Sequence, residues 1–487
     1  MTKKCVSVCK QFTETECNPP RCKYINGNTR KYCRLAHKYK MNKVTCNVTR
    51  RIKKKDQLKD ATKKIGQLIK SSKNFLQIVC PKSGACIAFG KYSKELNDFF
   101  KDFIHFEHAV SPIKGLGAVS ANGFVKEIEY ERDGYKAHSI LKSSQRNKAD
   151  NLVYEYLVGI KYVNRIMKSF PCFVETYGLY FYSNDAVWKY MSAKKYVYTE
   201  QLKSLDLQQN IDYTKACKES KYAAILIQHI NNAKSLNGMI TSMNPKFIQL
   251  DLIYILFIVY QALALLSKTF THYDLHLDNV LIYRPFPDQV IQYHYHNEDG
   301  TENNFYLPYI PKIIDYGRSY FDNGNLNSRK IYDRVCSTKD CKPNCGKKYG
   351  FEWLNPDPYL TISSSQKNES HDLRLINSLK DNADFYNTNV NPSTEKTYIH
   401  LKNIVDKIAY GVGIDNPTNK IYGTIENLNP AVARRITNVN GLHNVLKKMI
   451  EKPDIISENQ TNYNNDKIAC HLHIYYDQRP MVYERNI

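Results

Sequence analysis

Hydrophobic and polar residues alternate along residues 123–144, GFVKEIEYERDGYKAHSILKSS, on both sides of the dipeptide Asp133-Gly134. A period of two residues flanking Asp-Gly is typical of antiparallel strands joined by a tight turn. The next stretch, NLVYEYLVGIKYVNRIMK, spaces its apolar residues as a helix does. CFVETYGLYFY and KYAAILIQHI then predict two further strands. The first half of the chain is therefore expected to contain a small sheet and one helix.

The most apolar stretch is LDLIYILFIVYQALALLSK, residues 250–268, which Asp251, Tyr254 and Gln261 interrupt. A helix that is apolar on all sides suits the centre of a large domain as well as a membrane, and we expect a buried core helix without a transmembrane segment. Helices dominate from about residue 247, and the C-terminal CHLHIYYDQRPMVYE reads as a returning strand. His471 and His473 fit the alternation of that strand better than a metal site.

This order of elements predicts an α+β fold with a small β-rich lobe followed by a larger helical lobe. The joint between the two lobes is expected near residues 228–236. The expected segments are a Cys-rich basic module (1–50), a basic helical connector (51–105), the small lobe (106–232), the large lobe (233–455) and a C-terminal tail (456–487).

The net charge of +23 is concentrated at one end of the 487-residue chain. The first 80 residues hold 21 Lys and Arg against four acids, a balance of +17, so the other 407 residues carry +6. A basic segment on a nearly balanced body indicates attachment to nucleic acid or to another acidic surface; a solubilising tail is the alternative. The start, MTKKCVSVCKQF, shows no apolar run typical of a secretory signal, so we expect an intracellular protein.

Nine of the 14 cysteines fall in two clusters. They are Cys5, Cys9, Cys17, Cys22, Cys33 and Cys46 near the start, and Cys336, Cys341 and Cys345 in CSTKDCKPNC. The spacings lack the paired C-x2-C of a strong zinc signature, so zinc, disulfides and free thiols all stay open.

Two polar interruptions within apolar surroundings carry the candidate chemistry. Asp274 and Asn279 lie in THYDLHLDNVLIY, and Asp315 lies in PKIIDYGRSYF. Phosphoryl transfer needs a group that orients the incoming hydroxyl and hard oxygen ligands for Mg²⁺ on the nucleotide phosphates. Asp274 suits the first task, and Asn279 with Asp315 suits the second. Flanking apolar residues would fix both loops on strands.

At these residues the sequence resembles the protein-kinase superfamily. HYDLHLDN stands where the family has its H-R-D-L-x-x-x-N catalytic loop, and DYG stands where it has D-F-G. Further similarities follow in the family's order: Lys142 in SILK as the phosphate-holding lysine, Glu155 as its helix partner, Ala118, Ser120, Gly123 and Val125 as the glycine-rich loop, Gln228 and Ile230 as the adenine-binding hinge, and Asp372 as the aspartate that braces the catalytic loop.

The resemblance implies a two-lobed kinase fold over roughly residues 106–450 and ATP- and Mg²⁺-dependent phosphorylation of protein Ser or Thr. The whole chain looks most like the kinases of large cytoplasmic DNA viruses, which implies the cytoplasm of an infected cell and packaging in the virion as locations. Two departures leave the acceptor open: Tyr273 replaces the arginine before Asp274, and His276 replaces a lysine, as in aminoglycoside and choline kinases. A small-molecule kinase and a non-catalytic scaffold are the alternatives.

Overall fold

A computed structural model describes the chain in two units, Met1–Ser71 and Ser72–Ile487. Within them the described residues are 22–26, 31–35, 106, 109–110, 112–116, 123–132, 135–145, 151–193, 195–199, 205–207, 220–230, 232–242, 245–335, 352–353, 362–364, 366–391, 393, 395–410 and 435–485. The expected connector at 51–105 lies outside this set, as do Ala118, Ser120 and the second cysteine cluster.

The described part of the first unit is one antiparallel strand pair, β1 (Cys22–Asn26) and β2 (Lys31–Leu35). Tyr24 pairs with Cys33 across it. The other four cysteines of the first cluster lie outside the described residues, so zinc binding there stays a prediction.

The second unit contains a seven-stranded sheet with the strand order β7-β3-β4-β5-β9-β6-β8. Its strands are β3 (Ile113–Leu116), β4 (Gly123–Arg132), β5 (Tyr135–Ser144), β6 (Thr176–Tyr182), β7 (Tyr196–Val197), β8 (Leu205–Leu207) and β9 (Ala223–Gln228). β4 and β5 pair in antiparallel register from Gly123↔Ser144 to Arg132↔Tyr135, which confirms the predicted hairpin. The strands predicted in CFVETYGLYFY and KYAAILIQHI are confirmed as β6 and β9.

A helical stretch covers one face of this sheet. It runs as α1 (Asn151–Val158), a π-helical turn (Gly159–Val163) and α2 (Asn164–Ile166). Leu152, Val153 and Leu157 are buried, as the apolar spacing of the sequence predicts. A second short helix, α3 (Asp185–Ala193), follows β6.

Helices dominate the rest of the second unit. They are α4 (Leu236–Thr241), α5 (Leu252–Leu265), α6 (Ser328–Val335), α7 (Arg374–Asn377), α8 (Ala383–Tyr386), α9 (Lys396–Asp406), α10 (Val439–Ile450) and α11 (Pro453–Tyr463). Short 3-10 turns add Ser220–Tyr222, Leu277–Asn279, Tyr316–Arg318, His371–Leu373 and Ser378–Asp381.

The apolar run forms the centre of this helical part. A π-helical turn, Phe247–Asp251, leads into α5. Among the described residues, Phe247–Leu265 is the one helix long and apolar enough to cross a membrane. Of its apolar 18-residue window, 83% is buried inside the protein, as in a core helix. Asp251 is buried at its start and accepts a hydrogen bond from the Tyr463 hydroxyl.

Small strand groups hold the loops between the helices. β10 (Lys234–Ser235), β12 (Val280–Tyr283) and β15 (Ile310–Ile313) form one sheet, while β11 (Phe270–Thr271) pairs with β16 (Tyr320–Phe321). β17 (Glu352–Trp353) pairs with β18 (Ile362–Ser363).

A four-stranded sheet, in the order β14-β13-β19-β20, joins an inserted hairpin to the C-terminal tail. The hairpin is β13 (Gln289–His296) and β14 (Glu302–Leu307), and the tail supplies β19 (Lys467–Tyr475) and β20 (Val482–Arg485). β13 and β19 run parallel although they are far apart in the sequence. The returning tail strand is confirmed, and the α+β class is confirmed with it.

Candidate functional site

Lys142 lies in β5, between Val125 of β4 and Ile225 of β9. Its ammonium nitrogen Nζ lies 2.7 Å from Oε2 of Glu155 and 2.8 Å from Oδ1 of Asp315. The ion pair expected between Lys142 and Glu155 is therefore present, and it extends to a second carboxylate 173 residues away along the chain. One ammonium group thus links the sheet, helix α1 and the loop after β15.

The two carboxylates differ in exposure. The Glu155 side chain keeps 3% of its exposure, whereas that of Asp315 keeps 40%. Glu155 is therefore a buried anchor for Lys142. Asp315 uses Oδ1 on Lys142, and its side chain is only partly buried.

Burial and charge act in opposite directions on these three groups. Burial disfavours the charged form of Lys142, but Asp315 and Glu155 outweigh it and raise the Lys142 pKa above its usual value. Burial raises the pKa of Glu155 to about 7, against the opposing effect of Lys142. Burial also opposes ionisation of Asp315, but Lys142 prevails and lowers its pKa to about 2. Asp315 is therefore a carboxylate at neutral pH, which is the form that binds a divalent cation.

The backbone at Asp315 is left-handed, with φ 69° and ψ 68°. A non-glycine residue rarely adopts this conformation, which costs about 1–3 kcal/mol and persists where the surroundings fix it. The next residue, Tyr316, supplies that restraint: its buried hydroxyl donates to the Ile313 carbonyl at 2.6 Å and accepts from the Val174 N–H at 2.9 Å. With the backbone in this conformation, the Asp315 carboxylate lies within hydrogen-bond distance of Lys142.

Asp274 lies in the loop after β11 and is held by two arginines. Its Oδ1 accepts from Arg374 Nη1 at 2.9 Å, and Arg318 Nη1 lies 3.4 Å from the same atom. The Asp274 side chain is 14% exposed. Its carboxylate is thus neutralised, oriented and still reachable.

Asn279 connects the two polar loops. Its side-chain Nδ2 donates to the Asp274 carbonyl at 2.9 Å, and its own carbonyl accepts from the Ile314 N–H at 3.0 Å. β12 and β15 continue the connection, with Val280 paired to Ile313. Because Nδ2 is used internally, the side-chain oxygen of Asn279 is the atom that could take a ligand.

Asp372 supports the loop that carries Asp274. Its carboxylate accepts from the backbone N–H of His272 at 2.8 Å and of Tyr273 at 3.0 Å. Tyr273 is left-handed, with φ 63°, so this loop is also strained. Burial nevertheless raises the Asp372 pKa to about 7. The structure places Asp372 in the 3-10 turn His371–Leu373, just ahead of α7.

His272 links the loop to the strand end before Asp315. Its Nε2–H donates to the Ile314 carbonyl at 2.9 Å, and its Nδ1 accepts from the Asp274 N–H at 3.3 Å. This pattern requires the neutral imidazole, and burial lowers the His272 pKa to about 4. His276, by contrast, accepts the N–H of Asp278 and caps the turn Leu277–Asn279.

The described part of the predicted glycine-rich loop consists of Gly123 and Val125 at the start of β4. A Cβ on Gly123 would lie 2.2 Å from the Ser143 carbonyl oxygen, so only glycine permits this close approach of β4 to β5. Ala118 and Ser120 lie outside the described residues, and their part in nucleotide binding stays a prediction.

The predicted adenine-binding segment begins with Gln228, the last residue of β9, and includes Ile230. The backbone N–H of Gln228 donates to the Glu175 carbonyl at 2.8 Å, and its side-chain oxygen accepts from the Glu175 N–H at 3.1 Å. The Gln228 N–H is therefore not available to a ligand, which corrects part of the prediction. The Gln228 carbonyl and the backbone groups of Ile230 stay predicted contacts for an adenine ring.

Sequence reasoning missed the two arginines on Asp274. Arg318 stands three residues after Asp315, and Arg374 stands two residues after Asp372, so both accompany residues that the sequence does single out. Proximity in sequence to a site aspartate was the signal, but it does not say which arginine folds back onto which carboxylate.

No protein-family model matches this chain, and no curated protein matches it in a sequence search. Among the described residues no three His, Cys, Asp or Glu side chains converge as a preformed metal site. Because no family model and no curated protein matches, the function is inferred from the geometry and charges of the site.

Proposed function

We propose that the chain is a kinase of the protein-kinase type that transfers a phosphoryl group from ATP to Ser or Thr of a protein. The observation that carries this proposal is the pairing of Lys142 with both Glu155 and Asp315, at 2.7 and 2.8 Å. A partly buried cation fixed between a helix carboxylate and a loop carboxylate suits a site for nucleotide phosphates and their Mg²⁺.

The donor set fits Mg²⁺, which prefers oxygen ligands and takes one or two carboxylates together with phosphate oxygens. Asp315 and Asn279 would hold the ion through the carboxylate oxygen not used on Lys142 and the amide oxygen not used on Asp274. Lys142 would hold the phosphates. When bound, the ion would neutralise charge that develops on the phosphoryl oxygens.

The protein residues would act mainly by position and charge. Asp274 would orient the acceptor hydroxyl and accept its proton, and Arg374 and Arg318 keep its carboxylate in one orientation. Asp372 and His272 hold the loop in its strained form through four hydrogen bonds. A preorganised constellation of this kind lowers a barrier without a covalent enzyme intermediate.

The architecture supports the proposal at the level of lobes. The seven-stranded sheet with α1 would be the small lobe, and the helices around α5 the large one, with the segment 228–236 as their joint. Lys142 and Glu155 come from the first group, whereas Asp274, Asn279 and Asp315 come from the second. A nucleotide would then bind between the two, with adenine near Ile230.

The second candidate is a small-molecule phosphotransferase, which His276 favours because it replaces the lysine of protein kinases. In the structure His276 caps a turn through its Nδ1, which gives it a sufficient structural reason. A non-catalytic scaffold is less favoured, since Lys142, Glu155, Asp274, Asn279 and Asp315 are all present and mutually connected.

We further propose that the basic first 80 residues attach the enzyme to nucleic acid or to an acidic virion component. This follows from their charge of +17 and from the resemblance to viral kinases. The cytoplasm of the infected cell and the virion are the corresponding locations.

Incubation of the full chain with γ-labelled ATP and Mg²⁺ distinguishes these functions. A mixed protein substrate and a panel of aminoglycosides and choline are offered together, and protein-bound, small-molecule and free phosphate label are separated. Label on protein Ser or Thr is expected. Label on small molecules alone would establish the second candidate, and no label on any acceptor would support the scaffold.

A further inference from the structure

Four histidines form a ladder on the outer face of the four-stranded sheet. His294 and His296 belong to β13, and His471 and His473 belong to β19. The alternation of the strands explains the arrangement: Tyr293, Tyr295 and Leu472 are buried in the core, so the residues between them point to the opposite, partly exposed face. We call these four residues the histidine ladder.

The rings meet in two pairs across the parallel strands. Nε2 of His294 lies 3.0 Å from Nδ1 of His471, and Nε2 of His296 lies 3.0 Å from Nδ1 of His473. The pairs are also stacked on one another, since the rings of His294 and His473 have centroids 4.4 Å apart and an interplanar angle of 13°. Two equivalent nitrogen pairs therefore lie side by side on one surface.

Glu302 fixes the protonation of His294 through a hydrogen bond and lies near His296. Its Oε1 lies 2.5 Å from Nδ1 of His294, and its Oε2 lies 3.5 Å from Nδ1 of His296. A carboxylate at Nδ1 places the ring proton there and leaves the lone pair on Nε2, which faces the partner histidine. A carboxylate behind a histidine is also what orients and strengthens histidine ligands in metal sites.

The spacing of each nitrogen pair suits a shared metal ion. Zn–N bonds are about 2.0–2.1 Å, so nitrogens 3.0 Å apart would subtend an angle of roughly 90–95° at the ion. That angle is close to the cis angle of an octahedral site and somewhat below the tetrahedral value. Binding at the first pair would move the His471 proton from Nδ1 to Nε2 and turn both rings, because the hydrogen-bonded nitrogens point at each other. No proton has to be lost.

We propose that the histidine ladder is a binding site for a divalent transition metal such as Zn²⁺, with up to one ion for each imidazole pair. No third described side chain converges on either pair, so water completes the coordination and the site is open. The ion would tie the inserted hairpin to the C-terminal strand across 177 residues of sequence. The site is separate from Lys142 and Asp274 and does not depend on phosphoryl transfer.

Calorimetric titration of the full chain with Zn²⁺ tests the proposal. The wild type is compared with His471→Gln/His473→Gln and with the control His400→Gln, which changes a histidine on α9 paired only with Asp454 at 3.9 Å. Because the N-terminal cysteines could also bind zinc, the measured quantity is the difference in the number of sites between variants. The ladder variant is expected to lose one or two sites, and the control none.

Glu302→Gln provides an independent variant, since it leaves all four histidines in place. At the sites that the double histidine variant is expected to lose, Glu302→Gln should weaken zinc binding by about 10–100-fold. Each variant is first melted in EDTA to establish that it is folded. Equal site numbers in the wild type and a folded ladder variant would overturn the proposal; if the ladder variant does not fold, an unchanged affinity in Glu302→Gln would overturn it.

Discussion

Replacement of Arg374 by glutamine should slow phosphoryl transfer without weakening nucleotide binding. Arg374 Nη1 lies 2.9 Å from Oδ1 of Asp274, while Arg318 Nη1 lies 3.4 Å from the same oxygen. A hydrogen bond to a charged group contributes about 1.5–3 kcal/mol. The side chains of Arg374 and Asp274 are mostly shielded from water, at 23% and 14% exposure. Because Arg318 remains, we take the lower half of that range, which corresponds to roughly a 10–50-fold loss in rate.

Steady-state kinetics with a peptide or protein acceptor measure this effect. A loss confined to kcat, with the KM for ATP unchanged, is expected because Arg374 positions Asp274 and does not contact the nucleotide site. Arg318→Gln should lower kcat less than Arg374→Gln does. The effects of the two substitutions on the barrier should not be additive, because both arginines bind the same oxygen of Asp274. Arg284→Gln, at an exposed arginine between β12 and β13, is the matched control. The reasoning fails if Arg374→Gln is no slower than Arg284→Gln, or if Arg318→Gln costs more.

Three further results are expected. Asp315→Asn should lower transfer by two orders of magnitude or more, about 3 kcal/mol, while the protein stays folded; turnover close to normal would remove Asp315 from the metal site. Asp251→Asn should stabilise the protein at pH 8 but not at pH 4. Burial raises the Asp251 pKa to about 7 from an unfolded value near 3.8. The contribution of Asp251 to the free energy of unfolding is therefore fully present below about pH 3.8, where the side chain is neutral, and is lost as the pH rises through about 7. Urea unfolding at the two pH values should show that Asp251→Asn has a free energy of unfolding higher than the wild type by on the order of 3–4 kcal/mol at pH 8. An equal increase at both pH values would exclude titration of Asp251 as its cause. A chain beginning near residue 81 should keep its activity yet elute from heparin at lower salt; lost turnover with unchanged retention would place the basic segment within the enzyme.

Local patterns were sufficient to predict most individual elements. The alternation around Asp133-Gly134 predicts the β4–β5 hairpin, and the apolar run predicts the core helix α5, because both signals arise from neighbours in sequence. The polar interruptions at Asp274, Asn279 and Asp315 were visible for the same reason. Asp274 and Asp315 follow the buried strands β11 and β15, and Asn279 directly precedes β12, so a polar residue stands out at each position.

Contacts between distant parts of the chain could not be predicted in this way. The parallel pairing of β13 with β19 brings His294 beside His473, although each strand alone shows only a two-residue period. Arg374 reaches Asp274 from 100 residues away, and nothing in its own surroundings specifies that contact. The use of the Gln228 N–H by Glu175 depends on how the two segments meet and corrects a prediction made from motif position alone.

The most direct test of the proposed phosphoryl transfer is a comparison of the wild type with Asp274→Asn, incubated with γ-labelled ATP, Mg²⁺ and protein acceptors. Asn keeps the size of Asp274 but removes the carboxylate that would orient the hydroxyl and accept its proton, so nucleotide binding should be unchanged. The wild type is expected to label Ser or Thr, and the folded variant is expected to lose at least 100-fold of that rate, about 3 kcal/mol in the barrier. Equal labelling by both proteins, or no transfer by a wild type that binds ATP, would contradict the assignment of Asp274.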